Sequence, residues 1–136
     1  MAATTYIKNK LLDLTFGQQA YTGSAVLWMG LCTACDVAGT VTGEPPGAGY
    51  ARVSIDNNDV ATVWAAANAG VKANANSAIT FPSVTSSSWG TLSVAFLADS
   101  SSAGNVLWYG TLNNAVTATP GMAPYIPVNN LQISIT

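Results

Sequence analysis

The most continuously apolar segment of the chain is AVLWMGLC, residues 25–32, in which every position except Gly30 carries an apolar side chain. Successive side chains of a β-strand point to opposite faces of its sheet, so a strand that is apolar throughout is covered on both faces. The stretch is also far shorter than the roughly 20 residues of a membrane-spanning helix. The segment therefore predicts a buried strand in the core of a globular domain rather than a membrane-spanning helix.

Five further segments are predicted strands, namely residues 50–56, 79–81, 91–98, 106–112 and 131–135. Most of them alternate apolar and polar side chains, as half-buried strands do. In residues 91–98, the alternation predicts an inward face that carries Leu92, Val94 and Phe96. In residues 106–112, it predicts Val106, Trp108 and Leu112 on one face and Leu107 and Tyr109 on the other.

A single helix is predicted over about residues 5–16. Thr4 or Thr5 can cap its start, and Gly17 can end it. Its apolar stripe consists of Ile7, Leu11 and Leu14, at positions i, i+4 and i+7. A helix this short is marginal alone, so the stripe is expected to dock on a neighbour.

Turn-forming segments separate the strands, among them GEPPG at residues 43–47 and TPG at residues 119–121. Short strands broken by turns predict an all-β fold, either a β-sandwich or a jelly roll, with one short N-terminal helix. The length of 136 residues fits one domain over residues 1–136. The connection over residues 33–48 is longer than most loops, and such loops often make contacts.

The chain has very few charges. Only 7% of its residues are Asp, Glu, Lys or Arg, against about 25% in a typical soluble domain. Such a chain must cover itself with small polar residues or bury its surface on neighbours. The cations do not form the basic cluster that nucleic-acid binding requires, so no nucleic-acid partner is predicted. Neither a membrane segment nor a signal peptide is evident, so we expect assembly in the cytoplasm of the cell that produces the protein.

The chain contains no histidine, which removes the commonest general base and metal ligand. Two carboxylates could still hydrolyse a glycosidic bond. However, most acidic residues lie in predicted turns, where Asp serves local hydrogen bonds. We therefore predict a protein that is not an enzyme and has no catalytic residue or cofactor.

Two other motifs could bind a metal or perform redox chemistry. Cys32 and Cys35 form a C-x-x-C pair, but redox use favours a βαβ setting and zinc needs four ligands. We expect two ordinary thiols at the end of a buried strand, whether reduced or bridged. The segment DNND, residues 56–59, lacks the glycine and distal glutamate of a calcium loop, so a plain turn is predicted.

Eight residues are predicted to contact other subunits. Trp64 and Trp89 are candidates for surface stacking on sugars or for anchors at an interface, where tryptophan is enriched. The helix stripe and the long loop supply the others: Ile7, Leu11, Leu14, Glu44, Pro45 and Pro46.

Several short motifs follow one another in a distinctive order. GYAR (residues 49–52) follows the helix and the apolar strand, and ITFP (79–82), WGTL (89–92), FLAD (96–99) and GNVLWYG (104–110) come after it. This order resembles a family of small bacteriophage virion proteins described as tail-fibre or minor structural proteins. It is also similar to jelly-roll capsid cement (decoration) proteins, which sit as trimers on the phage head. The resemblance implies a structural module on the outer surface of the particle, with no catalytic residues to carry over.

No fibre shaft, receptor tip or extended anchor is visible in the sequence, so the first hypothesis is a capsid cement protein. It would be a homotrimer that clamps neighbouring copies of the major capsid protein after the head expands, and it would stabilise the shell by mass action. The alternative is a tail-fibre or baseplate module on the tail that contacts the host. A third hypothesis, from another class, is a carbohydrate-binding β-sandwich that uses Trp64 and Trp89.

Overall fold

The structure is a computed structural model that describes residues 1–57 and 62–135. Its described helix, α1, spans Thr5–Phe16 and coincides with the predicted helix. The described residues form eleven strands: β1 (Ala2–Ala3), β2 (Val26–Cys32), β3 (Ala34–Cys35), β4 (Val41–Thr42), β5 (Val53–Asp56), β6 (Val71–Ala73), β7 (Ile79–Thr80), β8 (Gly90–Ala98), β9 (Val106–Ala118), β10 (Tyr125–Ile126) and β11 (Gln132–Ser134). The predicted all-β class with one short N-terminal helix is confirmed.

Five strands form the main sheet, in the order β1–β9–β8–β2–β5, and every neighbouring pair is antiparallel. The apolar stretch β2 lies inside this sheet, between β8 and β5. Met29 on one face of β2 and Cys32 on the other are both fully buried. The prediction of a strand covered on both faces is confirmed.

The face of the main sheet that carries Met29, here called the inner face, holds the larger core. Two-stranded ribbons, β7–β10 and β6–β11, lie over this face together with α1 and the intervening loops. They contribute Ile79, Phe81 and Leu131 to the same cluster as the sheet residues. The layer opposite the main sheet is therefore made of ribbons and loops rather than of a second continuous sheet.

The opposite, outer face carries a smaller cluster around Phe96, which has no exposed surface. The hairpin β3–β4, formed inside the long loop 33–48, covers it with Cys35 and Val41. Gly30 lies directly opposite Phe96 on the neighbouring strand. The absence of a side chain at Gly30 leaves the space that the Phe96 ring fills, because a Cβ there would lie 2.6 Å from Phe96 Cε1.

Two register shifts between β8 and β9 change which residues share a face. One shift separates Leu92 from Val94, so Leu92 joins the inner cluster while Val94 and Phe96 stay in the outer one. The prediction of a common face for these three residues is wrong for Leu92. β8 is also buried on both faces, since Ala95 and Leu97 belong to the inner cluster.

The second shift lies at the start of β9, where Ala98 pairs with Val106 and Leu97 pairs with Trp108. Leu107 is the extra residue, and it packs in the inner cluster beside Trp108. Val106 belongs to the outer cluster instead. The predicted faces of Val106 and Leu107 are therefore wrong, because a bulge breaks the two-residue period.

Thr4 fixes the start of α1 to the main sheet. It occupies the N-cap position, yet its hydroxyl does not bond to the helix. The hydroxyl donates to the Val106 carbonyl at 2.6 Å, and the Thr4 amide donates to the Leu107 carbonyl at 3.0 Å. The Thr5 amide, which has no partner within the helix, donates to the Val37 carbonyl at 2.7 Å. The fully buried Thr4 thus anchors the helix to β9 rather than capping it through its side chain.

Candidate functional site

The second half of α1 and the residues after it project from the body of the protein. Every residue from 12 to 20 is exposed, and we call this segment the arm. It presents three large apolar side chains to solvent, because Leu12 is 57%, Leu14 48% and Phe16 82% exposed. A helix end of this kind has no covered face within its own subunit, so it is available to a neighbouring one.

The three residues of the predicted contact stripe lie in different surroundings, because only the last of them belongs to the arm. Ile7 is buried in the inner core, and Leu11 packs against the same cluster at half exposure. Of the three, Leu14 is the exposed residue, at 48%. Residues 12 and 16 were missed, although the letters LLDLTF give a signal: one helix face cannot bury residues 11, 12, 14 and 16 together.

An apolar cleft of about 390 Å³ opens beside α1. Ile7 and Leu11 of the helix, Leu27 of β2 and Trp108 of β9 form part of its lining, and Ile135 lies among its lining residues at 69% exposure. The only charged side chain among the described residues that line it belongs to Lys72. The cleft is suited to an apolar side chain in both size and chemistry.

Glu44 belongs to an internal network and is not a free contact residue. Its carboxylate accepts two hydrogen bonds from Arg52, from Nε and Nη2, both at 2.8 Å, and one from the Tyr50 hydroxyl at 2.9 Å. Arg52 Nη1 also donates to the carbonyls of Ser100 and Ala103, both at 2.9 Å. This bidentate pair joins the β4–β5 connection to the β8–β9 connection, and hydrogen bonding to Glu44 raises the pKa of Arg52.

The side chain of Arg52 is only 6% exposed, and its guanidinium lies 4.8 Å from the centroid of the Phe96 ring. The guanidinium therefore covers the outer cluster by packing on the face of the Phe96 ring. Of the two prolines after Glu44, Pro45 is buried and Pro46 is exposed. Within this loop, Pro46 remains the candidate contact residue.

The two tryptophans singled out from the sequence lie in the core. Trp64 is 1% exposed and Trp89 is 7% exposed. Trp89 packs edge-on against Tyr50, with ring centroids 5.1 Å apart, and its Nε1 donates to the Ala48 carbonyl at 3.0 Å. Neither ring is open to a sugar or a partner, so the prediction of exposed stacking residues is wrong. An alternating sequence around a tryptophan gives no measure of how much the distant loops cover it.

The C-x-x-C pair consists of two free thiols. Cys32 is fully buried, and burial raises the pKa of its thiol to about 12. Burial also raises the pKa of Cys35, with a further contribution from the negative charge of Asp36. The thiolate, which is the reactive form, is disfavoured at both positions near neutral pH.

The described carboxylates of two loops are engaged in local hydrogen bonds. Asp36 accepts from the Thr40 amide at 2.9 Å, and Asp99 accepts from the amide of Asn105 at 2.7 Å. Within residues 1–57 and 62–135, no three Cys, Asp or Glu side chains come together in a group that could hold a metal ion. Of the segment predicted as a turn at residues 56–59, residues 58 and 59 lie outside the described residues.

The described part of the chain contains no helix that is long and apolar enough to cross a membrane, since α1 has 12 residues. In a comparison with protein families, a model of the family described as podophage GP4 fiber I protein gp80 matches residues 2–134. No curated protein matches the chain. Because the family match spans nearly the whole sequence, the chain belongs to the podophage GP4 fiber I protein gp80 family, and it is a structural protein of a phage virion.

Proposed function

We propose that the chain is a structural subunit of the fibre assembly of a podophage particle, where it forms a closed homo-oligomer, a trimer, through its arm. The family description, which names a fibre protein, supports a location in the fibre assembly. The exposed arm with Leu12, Leu14 and Phe16 supports a role in subunit contact, and it is the observation on which the proposal depends. Enzymatic activity forms no part of this proposal.

The arm would be stabilised by burial in a neighbouring copy. Fully burying a Leu or Phe side chain contributes about 1.5–3 kcal/mol. Three such side chains therefore supply enough free energy to offset a substantial part of the cost of association. A charged surface would oppose such burial, but only Asp13 within the arm carries a charge.

The apolar cleft is the surface on the same chain that would accept the arm. It is lined by apolar side chains, and its volume of about 390 Å³ has room for the ring of Phe16. The arm of one copy in the cleft of the next is a contact between two different surface patches, and such contacts close into a ring when the rotation permits. A trimer would satisfy every arm and every cleft.

Capsid cement is the second candidate function. In that role, the chain would bind neighbouring copies of the major capsid protein and stabilise the shell by its binding free energy. It is favoured by the low charge and by strands that gather around one shared inner core, as a compact decoration module requires. The third hypothesis, carbohydrate binding through Trp64 and Trp89, loses its support because both rings are buried.

Analytical ultracentrifugation of the purified chain tests the contact. We expect a homotrimer for the wild type and a shift toward monomer for Phe16→Ser, with association weakened about 30-fold for a loss of about 2 kcal/mol. Val128→Ser is the matched control, because Val128 is a 42% exposed apolar residue outside the arm. A wild-type monomer at all concentrations, or equal effects of the two substitutions, contradicts the proposed contact.

Cysteine cross-linking tests the partner of the arm. Phe16→Cys and Ile135→Cys are made on separate chains that differ in tag length, mixed, and oxidised. A disulfide-linked heterodimer is expected, because Phe16 would enter the cleft of the next copy. If the mixture yields only the two homodimers or no cross-link, the arm does not occupy this cleft.

A further inference from the structure

A second and larger cleft, of about 620 Å³, opens over the inner face of the main sheet, between β9 and the segment 124–132, and takes no part in the contact proposed above. Its floor includes Leu31, Phe81 and Ala95 of the inner core. One wall is the segment 111–116 of β9, and the other is the segment 124–132. We call it the amide cleft, because carboxamide side chains stand on both of its walls.

The first wall is a large bulge in β9. Leu92 pairs with Val116 and Val94 pairs with Thr111, so residues 112–115 of β9 face the single residue between Leu92 and Val94. Bulges of this kind redirect side chains and are frequent beside functional sites. Leu112 and Val116 hold the bulge on the inner core. Between them, Asn113 and Asn114 are exposed at the cleft.

The second wall is fixed from below by Asn74, which is fully buried. The Asn74 side chain donates to the carbonyls of Ser77 and Pro127, at 3.1 Å and 2.9 Å, and accepts from the Leu131 amide at 2.9 Å. Its backbone carbonyl accepts from the Asn129 amide at 3.2 Å. The loop that carries Asn129 and Asn130 is thus held in one conformation before any ligand arrives, which lowers the cost of binding.

An aromatic ring completes the second wall. Tyr125 is 63% exposed and lies among the residues that line the cleft. Its backbone is held by the pairing of β10 with β7, in which Tyr125 lies opposite Thr80. A rigid, exposed tyrosine beside free carboxamides offers an apolar face next to hydrogen-bonding groups.

From this arrangement, we propose that the amide cleft binds a neutral saccharide. The side chains of Asn113, Asn114, Asn129 and Asn130 make no hydrogen bond to the part of the chain that the structure describes, so their donors and acceptors are free for a ligand. A carboxamide both donates and accepts, as a sugar hydroxyl does. Tyr125 and the apolar floor suit the C–H faces of the sugar ring.

The charge and polarity of the lining exclude other ligand classes. No Asp, Glu, Lys or Arg side chain is among the described residues that line the cleft. The one ionic group at the lining is the N-terminal ammonium of Met1, which already donates to the Gln132 carbonyl at 2.7 Å, so a phosphate or carboxylate group would have to compete with that bond. A purely apolar ligand would leave the carboxamides without partners, which is unfavourable. The volume of about 620 Å³ lies within the range of small-ligand sites, about 300–1,000 Å³.

The experiment is a screen of the full chain on an array of neutral and acidic oligosaccharides, followed by calorimetric titration with the best neutral oligosaccharide. We expect binding confined to neutral glycans. Asn113→Ala should weaken it about three- to tenfold, and Tyr125→Leu about tenfold. Tyr125→Phe should keep most of the affinity, because it keeps the ring. Asn9→Ala is the matched control, since Asn9 is an exposed asparagine on α1, away from the cleft.

The outcomes are distinct. The proposal is overturned if no neutral glycan binds, if acidic glycans bind equally well, or if Asn9→Ala weakens binding as much as Asn113→Ala. For a phage protein, the saccharide would come from the bacterial surface, either from lipopolysaccharide or from a capsule. Titration with the purified O-polysaccharide and with the capsular polysaccharide of the host distinguishes these two sources. The arm variant Phe16→Ser separates this proposal from the oligomer, because a monomer with an intact cleft should still bind the glycan.

Discussion

Replacing Gly30 by alanine should destabilise the centre of the main sheet, because the space beside Gly30 is filled by the Phe96 ring. A Cβ at Gly30 would lie 2.6 Å from Phe96 Cε1 and 2.8 Å from Cε2, whereas carbon atoms in favourable contact are about 3.5–4.0 Å apart. The ring cannot move away freely, since it is fully buried under the Arg52 guanidinium. Overpacking of a core costs about 1–3 kcal/mol, and we expect about 3 kcal/mol here.

Urea denaturation followed by tryptophan fluorescence measures this cost. Gly47→Ala is the matched control, because a Cβ at Gly47 would meet no atom within 4 Å. The midpoint should fall for Gly30→Ala, with an unchanged slope, and stay constant for Gly47→Ala. In a Phe96→Leu background, the cost of Gly30→Ala should shrink by about 1 kcal/mol or more, since the clashing ring atoms are gone. If Gly30→Ala is as neutral as the control, or if its cost is the same in both backgrounds, the Phe96 ring does not limit the space at Gly30.

Three further predictions concern the buried polar groups. Arg52→Ala removes the cationic partner of Glu44 and the donor to the Ser100 and Ala103 carbonyls, and it should lower the free energy of unfolding by about 3 kcal/mol in urea titrations; a loss below about 1 kcal/mol would mean that the ion pair contributes no more than a surface pair does. Asn74→Ala strands the Leu131 amide and two carbonyls and should cost about 2–3 kcal/mol in the same assay, and a neutral result would disprove the anchoring of the loop. Because burial raises the pKa of Cys32 from its ordinary 9.0 to about 12, the unfolded chain ionises first, so stability should fall as pH rises from 9 toward 12. Cys32→Ala should show a smaller fall between pH 8 and pH 10.5, and equal slopes would contradict the assignment.

Local sequence signals predicted the helix and the central strand well. The helix begins after Thr4 and ends at Phe16 because a cap position, an apolar stripe and Gly17 agree along one short segment. The stretch at residues 25–32 is apolar at nearly every position, and the structure buries residues 29–32 on both faces while Val26 and Trp28 are half-buried. Both features depend on residues that are close together in the sequence, so the local pattern of side chains is enough to predict them.

Features that depend on distant segments could not be predicted in the same way. The faces of Leu92 and Leu107 changed because two bulges arise from the pairing of β8 with β9, and alternation alone carries no sign of a bulge. Trp64 and Trp89 lie in the core because loops far away in the sequence fold over them. The amide cleft was missed for the same reason: its two walls meet only when the buried Asn74 draws the loop 127–131 against the ribbons.

A cryo-EM map of the purified phage particle would show where the chain lies and what covers its arm. We expect the chain in the fibre assembly as a symmetric trimer, with residues 12–20 of each copy buried against the next. The second candidate predicts the same chain on the capsid surface, in contact with the major capsid protein. A particle in which the chain is absent, or in which Leu12, Leu14 and Phe16 face only solvent, would contradict the role assigned to the arm.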